Sequence, residues 1–135
     1  MRGGVHAVVR HRDAFLLLLR GHTAPWAPCK WGLPGGLIEK RETPVQALKR
    51  EVYEEAGIVP PYSLEGLGVR GGSIFYEIGV ATPKVALLDG EHERYMWANF
   101  EDISDLHAEG FLAPGCWAAI RDAVVRDARR PAYRA

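Results

Sequence analysis

The segment Thr43 to Gly57, TPVQALKREVYEEAG, constrains this chain more than any other. Thr43 is a good helix N-cap, and Pro44 at the first helical position loses nothing by lacking an N–H. Gln46, three residues after Thr43, completes a capping box, and Gly57 supplies the stop. Val45, Leu48, Val52 and Ala56 fall on one side at helical spacing, so that side must lie on a core. Glu51, Glu54 and Glu55 have the i, i+3, i+4 relation, well around the helix from that apolar side, and their carboxylates converge.

Converging carboxylates at this end of a helix are unfavourable. Each like-charge pair costs roughly a few tenths of a kcal/mol on an exposed helix. The helix dipole disfavours anions in the last turns by roughly 0.3–1 kcal/mol each. A bound divalent cation reverses both penalties, and hard oxygen ligands without Cys or His select Mg²⁺ or Mn²⁺ over zinc. A glutamate-rich face is also an ordinary solvated surface, and the helix alone does not separate the two readings. Upstream, Gly35-Gly36 either lets the backbone approach a ligand closely or makes a plain turn. A carbonyl from this pair can complete a coordination sphere.

The rest of the chain reads as strands around that helix. Val5 to Val9 and Ala14 to Arg20 are strands separated by His11-Arg12-Asp13, the second apolar almost throughout, as a strand covered on both faces should be. Gly21 to Lys30 is a loop. Leu64 to Val69 and Ile74 to Ala81 read as strands around Gly71-Gly72, Lys84 to Leu88 as a short one, and Arg94 to Ala98 as another. Asp89 to Glu93 is a charged loop, and Glu101 to Leu106 a helical turn. A second amphipathic helix runs from Pro114 to about Ala128, and a loose basic tail follows from about 129. One domain over residues 1–135, of the α+β class with a mixed sheet between helices, is the layout expected.

The spacing also carries a family pattern. Gly36, five residues, Glu42, seven residues, then Arg50-Glu51-Val52-Tyr53-Glu54-Glu55-Ala56-Gly57-Ile58 resembles the Nudix box, G-x5-E-x7-R-E-U-x-E-E-x-G-U with U apolar. Every specified position matches, over 23 of 135 residues. Trp31 to Gly35 is similar to the family's approach to the box, and Glu91-His92 with Tyr95 and Trp97 is more weakly similar to a segment that follows its central strands.

The resemblance implies an α/β/α sandwich and an enzyme that hydrolyses a nucleoside diphosphate linked to another group, with Mg²⁺ or Mn²⁺. By position it makes Glu54 and Glu55 metal ligands, Glu51 a further ligand or the general base, and the Gly35 carbonyl a further oxygen. Arg50 would hold Glu51 or a neighbouring glutamate by a charge-assisted hydrogen bond, and Glu42 would support the helix and its loop. An additional carboxylate outside the box is expected at Glu91, or else Glu93. Tyr76, 18 residues past Ile58, stands where diadenosine polyphosphate hydrolases of the family carry a tyrosine, and it becomes the candidate substrate contact. The residues around Ser73 lack the proline that ADP-ribose hydrolases tend to have, which leans away from ADP-ribose. A nucleoside triphosphate, a dinucleotide and a nucleotide sugar stay open.

Other readings are narrower. A Nudix-fold module that binds a nucleotide without cleaving it usually has a broken box, and an isomerase on the fold departs from this box and carries a catalytic cysteine. Seventeen basic residues balance 17 acidic ones, which gives no argument for nucleic-acid or membrane association. Arg20, Lys30, Lys40 and Arg70 are candidate phosphate contacts, and Trp26, Phe75 and Trp97 candidate stacking surfaces. Cys29 and Cys116 form no metal motif, and half-buried thiols in a reducing, cytoplasmic setting are expected. The longest apolar run, Ala14 to Leu19, is too short to span a bilayer and lacks a cleavage site behind it. Many relatives form homodimers, and no segment of this chain marks a dimer surface.

Overall fold

The computed structural model describes residues 3–129. A mixed seven-stranded sheet forms its middle layer, built from β1 (Gly4–His11), β2 (Ala14–Arg20), β3 (Trp31–Gly32), β4 (Gly35–Leu37), β5 (Ser63–Arg70), β6 (Ser73–Gly79) and β7 (His92–Asn99). Five of these run in the order β3-β2-β1-β6-β5, while β4 pairs with β1 and β7 with β2. Strand β1 runs parallel to β6 along Gly4–Arg10, while the other pairings are antiparallel. The antiparallel edge of β1 is shared: Gly4, Val5 and His6 pair with β4, and Arg10 and His11 with β2. That split brings the double glycine into the sheet beside Val5 and His6.

Alternation along the strands builds two cores. Val5, Ala7 and Val9 of β1, Leu16 and Leu18 of β2, and Ile78 of β6 pack beneath helix α1 (Pro44–Ala56), against Leu48, Val52 and Ala56. Val8, Phe15, Leu17 and Phe75 point the other way, onto α2 (Phe100–Ala108) and α3 (Cys116–Ala128), where Ile103, Ala119 and Ile120 meet them. Strand β2 thus contributes to both cores, as its nearly continuous apolar run requires. Full burial of Leu48 or Val52 contributes about 1.5–3 kcal/mol each. Arg10 with Asp127, and Arg126 with Glu77, tie α3 to the sheet.

Helix α1 has both halves of its capping box, Gln46 N–H to Thr43 Oγ1 at 3.1 Å and Thr43 N–H to Gln46 Oε1 at 2.9 Å. Gly57 closes it in the left-handed region, at φ 69°. Three sequence expectations change. Glu101 to Leu106 lies in a nine-residue helix, because Asn99 and Asp102 make a second capping box. Lys84 to Leu88 is not a strand: Pro83 interrupts the run, Ala86 N–H donates to Ala56 O, and Val85 and Leu87 pack on the α1 core. The cysteines are not both half-buried; Cys29 is exposed and Cys116 buried. Of the basic tail, residues 130–135 lie outside the described residues. No described helix is long and apolar enough to cross a membrane.

Candidate metal and nucleotide site

The site is organised by one guanidinium. Arg50 Nε and Nη2 donate to the two oxygens of Glu42 at 2.7 and 2.9 Å, a bidentate pair. Its Nη1 donates to Glu51 Oε1 and to Glu54 Oε1, both at 2.8 Å, and Nη2 also reaches Leu37 O at 3.1 Å. Glu42 in turn accepts from Glu39 N–H at 2.8 Å, which fastens the loop ahead of the helix. Arg50 therefore gathers three carboxylates that would otherwise repel. Its hydrogen bonds hold the Glu42 carboxyl down at about 2, and the same partners raise the affinity of Arg50 for its own proton.

Glu55 is different in kind. It is buried, and its Oε1 accepts from Gly35 N–H at 2.7 Å. Desolvation pushes its carboxyl up to about 9, against the Gly35 hydrogen bond and with the Glu51, Asp89 and Glu91 charges adding to the rise. Desolvation also raises Glu51, which Arg50 partly opposes. A buried carboxylate with a neighbouring cluster of acids fits a divalent cation by both charge and donor chemistry. Among the described residues, Glu39, Glu51, Glu54, Glu55, Asp89 and Glu91 are the acids that line one cavity of about 910 Å³.

The two glycines make that cradle possible by close approach, not by unusual dihedral angles. A Cβ on Gly36 would stand 2.6 Å from Glu51 Oε1, so any other residue displaces the carboxylate. A Cβ on Gly35 would stand 2.2 Å from Val5 O and 2.9 Å from His6 Cα, which are backbone atoms of the paired strand. Gly36→Ala should accordingly keep the fold and lose function. A thermal melt close to the parent's, with turnover lowered by about tenfold or more, is the expected outcome.

Burial of Glu55 also sets a pH dependence. Its folded-state proton affinity, near 9, exceeds the ordinary value of 4.5, so the folded chain holds more protons than the unfolded one between those values. The metal-free protein should lose stability as pH rises through that window. Denaturant melts from pH 5 to 9 in EDTA should show the decline, and Glu55→Gln should flatten it.

The remaining lining is apolar and aromatic. His6 stacks on Phe75 with ring centroids 5.2 Å apart, and burial lowers its proton affinity, as does the nearby Arg20 charge. Leu33, Pro114 and Cys116 line the same space. Trp26, 47% exposed, stands in the lining beneath the Arg20 guanidinium, which is 5.0 Å from its ring and whose Nε donates to Trp26 O at 2.6 Å.

Several expectations separate here. Glu91 lines the cavity, whereas Glu93 accepts from His22 N–H at 3.4 Å and sits beside His22 Nδ1 at 3.2 Å, outside the lining. Glu91→Gln should therefore slow turnover more than Glu93→Gln, checked by comparing kcat for the two. Tyr76 does not face the cavity; it packs on the α1 core, because it follows Phe75 on β6 and neighbouring strand residues point to opposite faces. Trp97 likewise packs on that core and donates to Pro83 O at 2.9 Å. Of the basic candidates, Arg20 lines the cavity, Lys30 donates to Gly110 O and Arg70 pairs with Asp122.

Sequence reasoning missed Asp89 and His6, and it named His92 only within a family-like segment, without a site role. Asp89 Oδ1 accepts from Glu91 N–H at 3.0 Å and His92 N–H at 3.4 Å, and Oδ2 lies 3.0 Å from His92 Nδ1. The Asp-Gly pair at 89–90 was a visible sign of such a turn. Nothing local says that the turn reaches Glu55.

A mixed sheet between helices carries a loop–helix–loop whose acids are gathered by an arginine beside a glycine-bearing strand. The chain belongs to the Nudix family: the NUDIX domain family model matches residues 1–123. A Mycobacterium tuberculosis protein provisionally named 8-oxo-dGTP diphosphatase 3 is 38% identical over 85 residues, 62% of this chain and 34% of that protein. An ADP-ribose pyrophosphatase of Methanocaldococcus jannaschii is 39% identical over 49 residues, 36% of this chain and 28% of that protein. The chain thus spans about a third of the length of these curated relatives. Among solved structures, the NUDIX domain of Shewanella oneidensis NrtR complexed with ADP ribose superimposes with a TM-score of 0.75 at 23% identity, over 91% of this chain and 86% of that one. A C. elegans Ap4A hydrolase gives 0.72 at 22% identity, over 95% and 98%. These likenesses establish the fold, and the ligands and activities named for those proteins differ from one another.

Proposed function

We propose that this chain hydrolyses a nucleoside diphosphate linked to another group, using Mg²⁺ or Mn²⁺. The observation that supports it most is the Arg50 arrangement, which spends three charge-assisted contacts on ordering acids beside a buried fourth. A stability argument gives no reason to gather Glu51, Glu54 and Glu55 at a helix C-terminus; binding a cation and a pyrophosphate does.

Glu51, Glu54 and Glu55 hold the cation, with the Gly35 carbonyl as a further oxygen. When bound, it neutralises charge on pyrophosphate oxygens and makes a nearby water more acidic. Arg50 fixes Glu51 and Glu54 so that they need not reorganise as charge develops. Glu91, which lines the cavity outside the helix, takes the proton from the attacking water, and Glu51 serves as a ligand. The aromatic lining around His6, Phe75 and Trp26 receives the nucleoside. A nucleoside triphosphate, a dinucleoside polyphosphate and a nucleotide sugar all present the required linkage. The free thiols of Cys29 and Cys116 suit a cytoplasmic setting.

A nucleotide panel incubated with Mg²⁺, with Mn²⁺ and with EDTA tests this reading. At least one member should be cleaved with metal and untouched in EDTA. No cleavage across a panel of triphosphates, dinucleotides and nucleotide sugars would replace hydrolysis with binding alone.

A further inference from the structure

Glu55, Asp89 and His92 come from the end of α1 and from the turn entering β7, yet each offers one ligand atom within 4.8 Å of the others. Donors sharing one ion at about 2.0–2.2 Å lie about 3–4.4 Å apart, so the three need little movement to meet on a cation. All three are already held. Glu55 Oε1 is fixed by Gly35 N–H at 2.7 Å and Asp89 Oδ1 by Glu91 N–H at 3.0 Å, while the His92 side chain is 2% exposed. The 3.0 Å between His92 Nδ1 and Asp89 Oδ2 is a hydrogen-bond distance, and it is also the edge of a coordination octahedron. Glu55 and Asp89 both line the cavity, so an ion seated there borders the space where substrate would lie.

The donor chemistry departs from the oxygen-only set of the helix. Carboxylates serve Mg²⁺ and Mn²⁺ alike, but an imidazole nitrogen favours first-row transition ions and is a poor partner for Mg²⁺. We infer that Glu55, Asp89 and His92 form a mixed oxygen–nitrogen site that takes a divalent transition-metal ion in preference to Mg²⁺. This rests on the proposed function only in sharing Glu55 with the cation site there. It adds a nitrogen ligand and a metal preference, and it gives the Asp89–His92 turn a binding role in place of a purely structural one. An ion bound there would also pin the turn that carries Glu91.

Mn²⁺ alone, without nucleotide, is the probe. Pulsed electron paramagnetic resonance of the full chain with one equivalent of Mn²⁺ should show ¹⁴N modulation from a directly bound imidazole. The pattern should change when histidine is supplied as ¹⁵N. His92→Gln should remove the modulation and weaken Mn²⁺ binding by about tenfold or more, with Mg²⁺ binding, read by competition, changed by less than about threefold. Absence of histidine-derived modulation in the parent protein overturns the inference, whatever the variant does. Equal weakening of Mn²⁺ and Mg²⁺ in a folded His92→Gln protein overturns it too, because a purely structural histidine would act on both. Asp89→Asn, which keeps the turn's hydrogen bonding, should weaken Mn²⁺ while leaving the ¹⁴N signal. Since no turnover is measured, failure of the panel for hydrolysis leaves this result standing, and the reverse also holds.

Discussion

Glu54→Gln is expected to lower kcat by about two to three orders of magnitude while the protein stays folded. The glutamine keeps the volume, and its amide oxygen can still accept from Arg50 Nη1, which now stands 2.8 Å from Glu54 Oε1. What it loses is the negative charge facing the cavity. Glu54 is an exposed helix residue, so the melt should barely move. Near-parent turnover in a folded Glu54→Gln protein would remove this residue from the metal site. Steady-state kinetics at saturating Mg²⁺, together with a thermal melt, reads both halves of the prediction.

Gly35→Ala is expected to act on the fold instead, and by a large amount. The added methyl meets backbone atoms, Val5 O and His6 Cα, on a strand that is paired on both sides. Neither can move without opening the β1–β4 pairing or the parallel β1–β6 ladder. Overpacking of this kind costs about 1–3 kcal/mol or more. The displaced Gly35 N–H would also abandon the buried Glu55 carboxyl, leaving a polar group unsatisfied at about 1–3 kcal/mol further. A drop in denaturant midpoint of that order, against a small change for Gly36→Ala, is the signature. The contrast follows from what each methyl would hit: strand backbone in one case, the far end of a glutamate in the other.

Much of this was legible along the chain because the interactions are local. The capping box of α1, its glycine stop, its apolar side and the convergence of Glu51 and Glu54 all lie within 15 consecutive residues, where helical geometry alone sets who meets whom. The Arg50 contacts with Glu51 and Glu54 are equally local, and that with Glu42 is eight residues away. Asn99 with Asp102 was just as local and was passed over, since a short polar stretch after a strand resembles a turn.

The parts that stayed hidden depend on the sheet. Only the β1–β4 register shows that Gly35-Gly36 sits against Val5 and His6. Only the strand alternation of β6 sends Phe75 to the cavity and Tyr76 to the core. The meeting of Glu55 with Asp89 and His92 joins residues more than 30 positions apart, through a β2–β7 pairing that no periodicity announces. The buried histidine of that trio lies on a strand the sequence placed two residues later.

The central claim is that the last turns of α1 hold a divalent cation. Isothermal titration of Mg²⁺ into the metal-free parent protein, and into Glu54→Gln and Glu55→Gln proteins shown to be folded, addresses it without any choice of substrate. The account predicts saturable binding in the parent that weakens by about tenfold or more in each variant. Parent-like binding in both variants would contradict it.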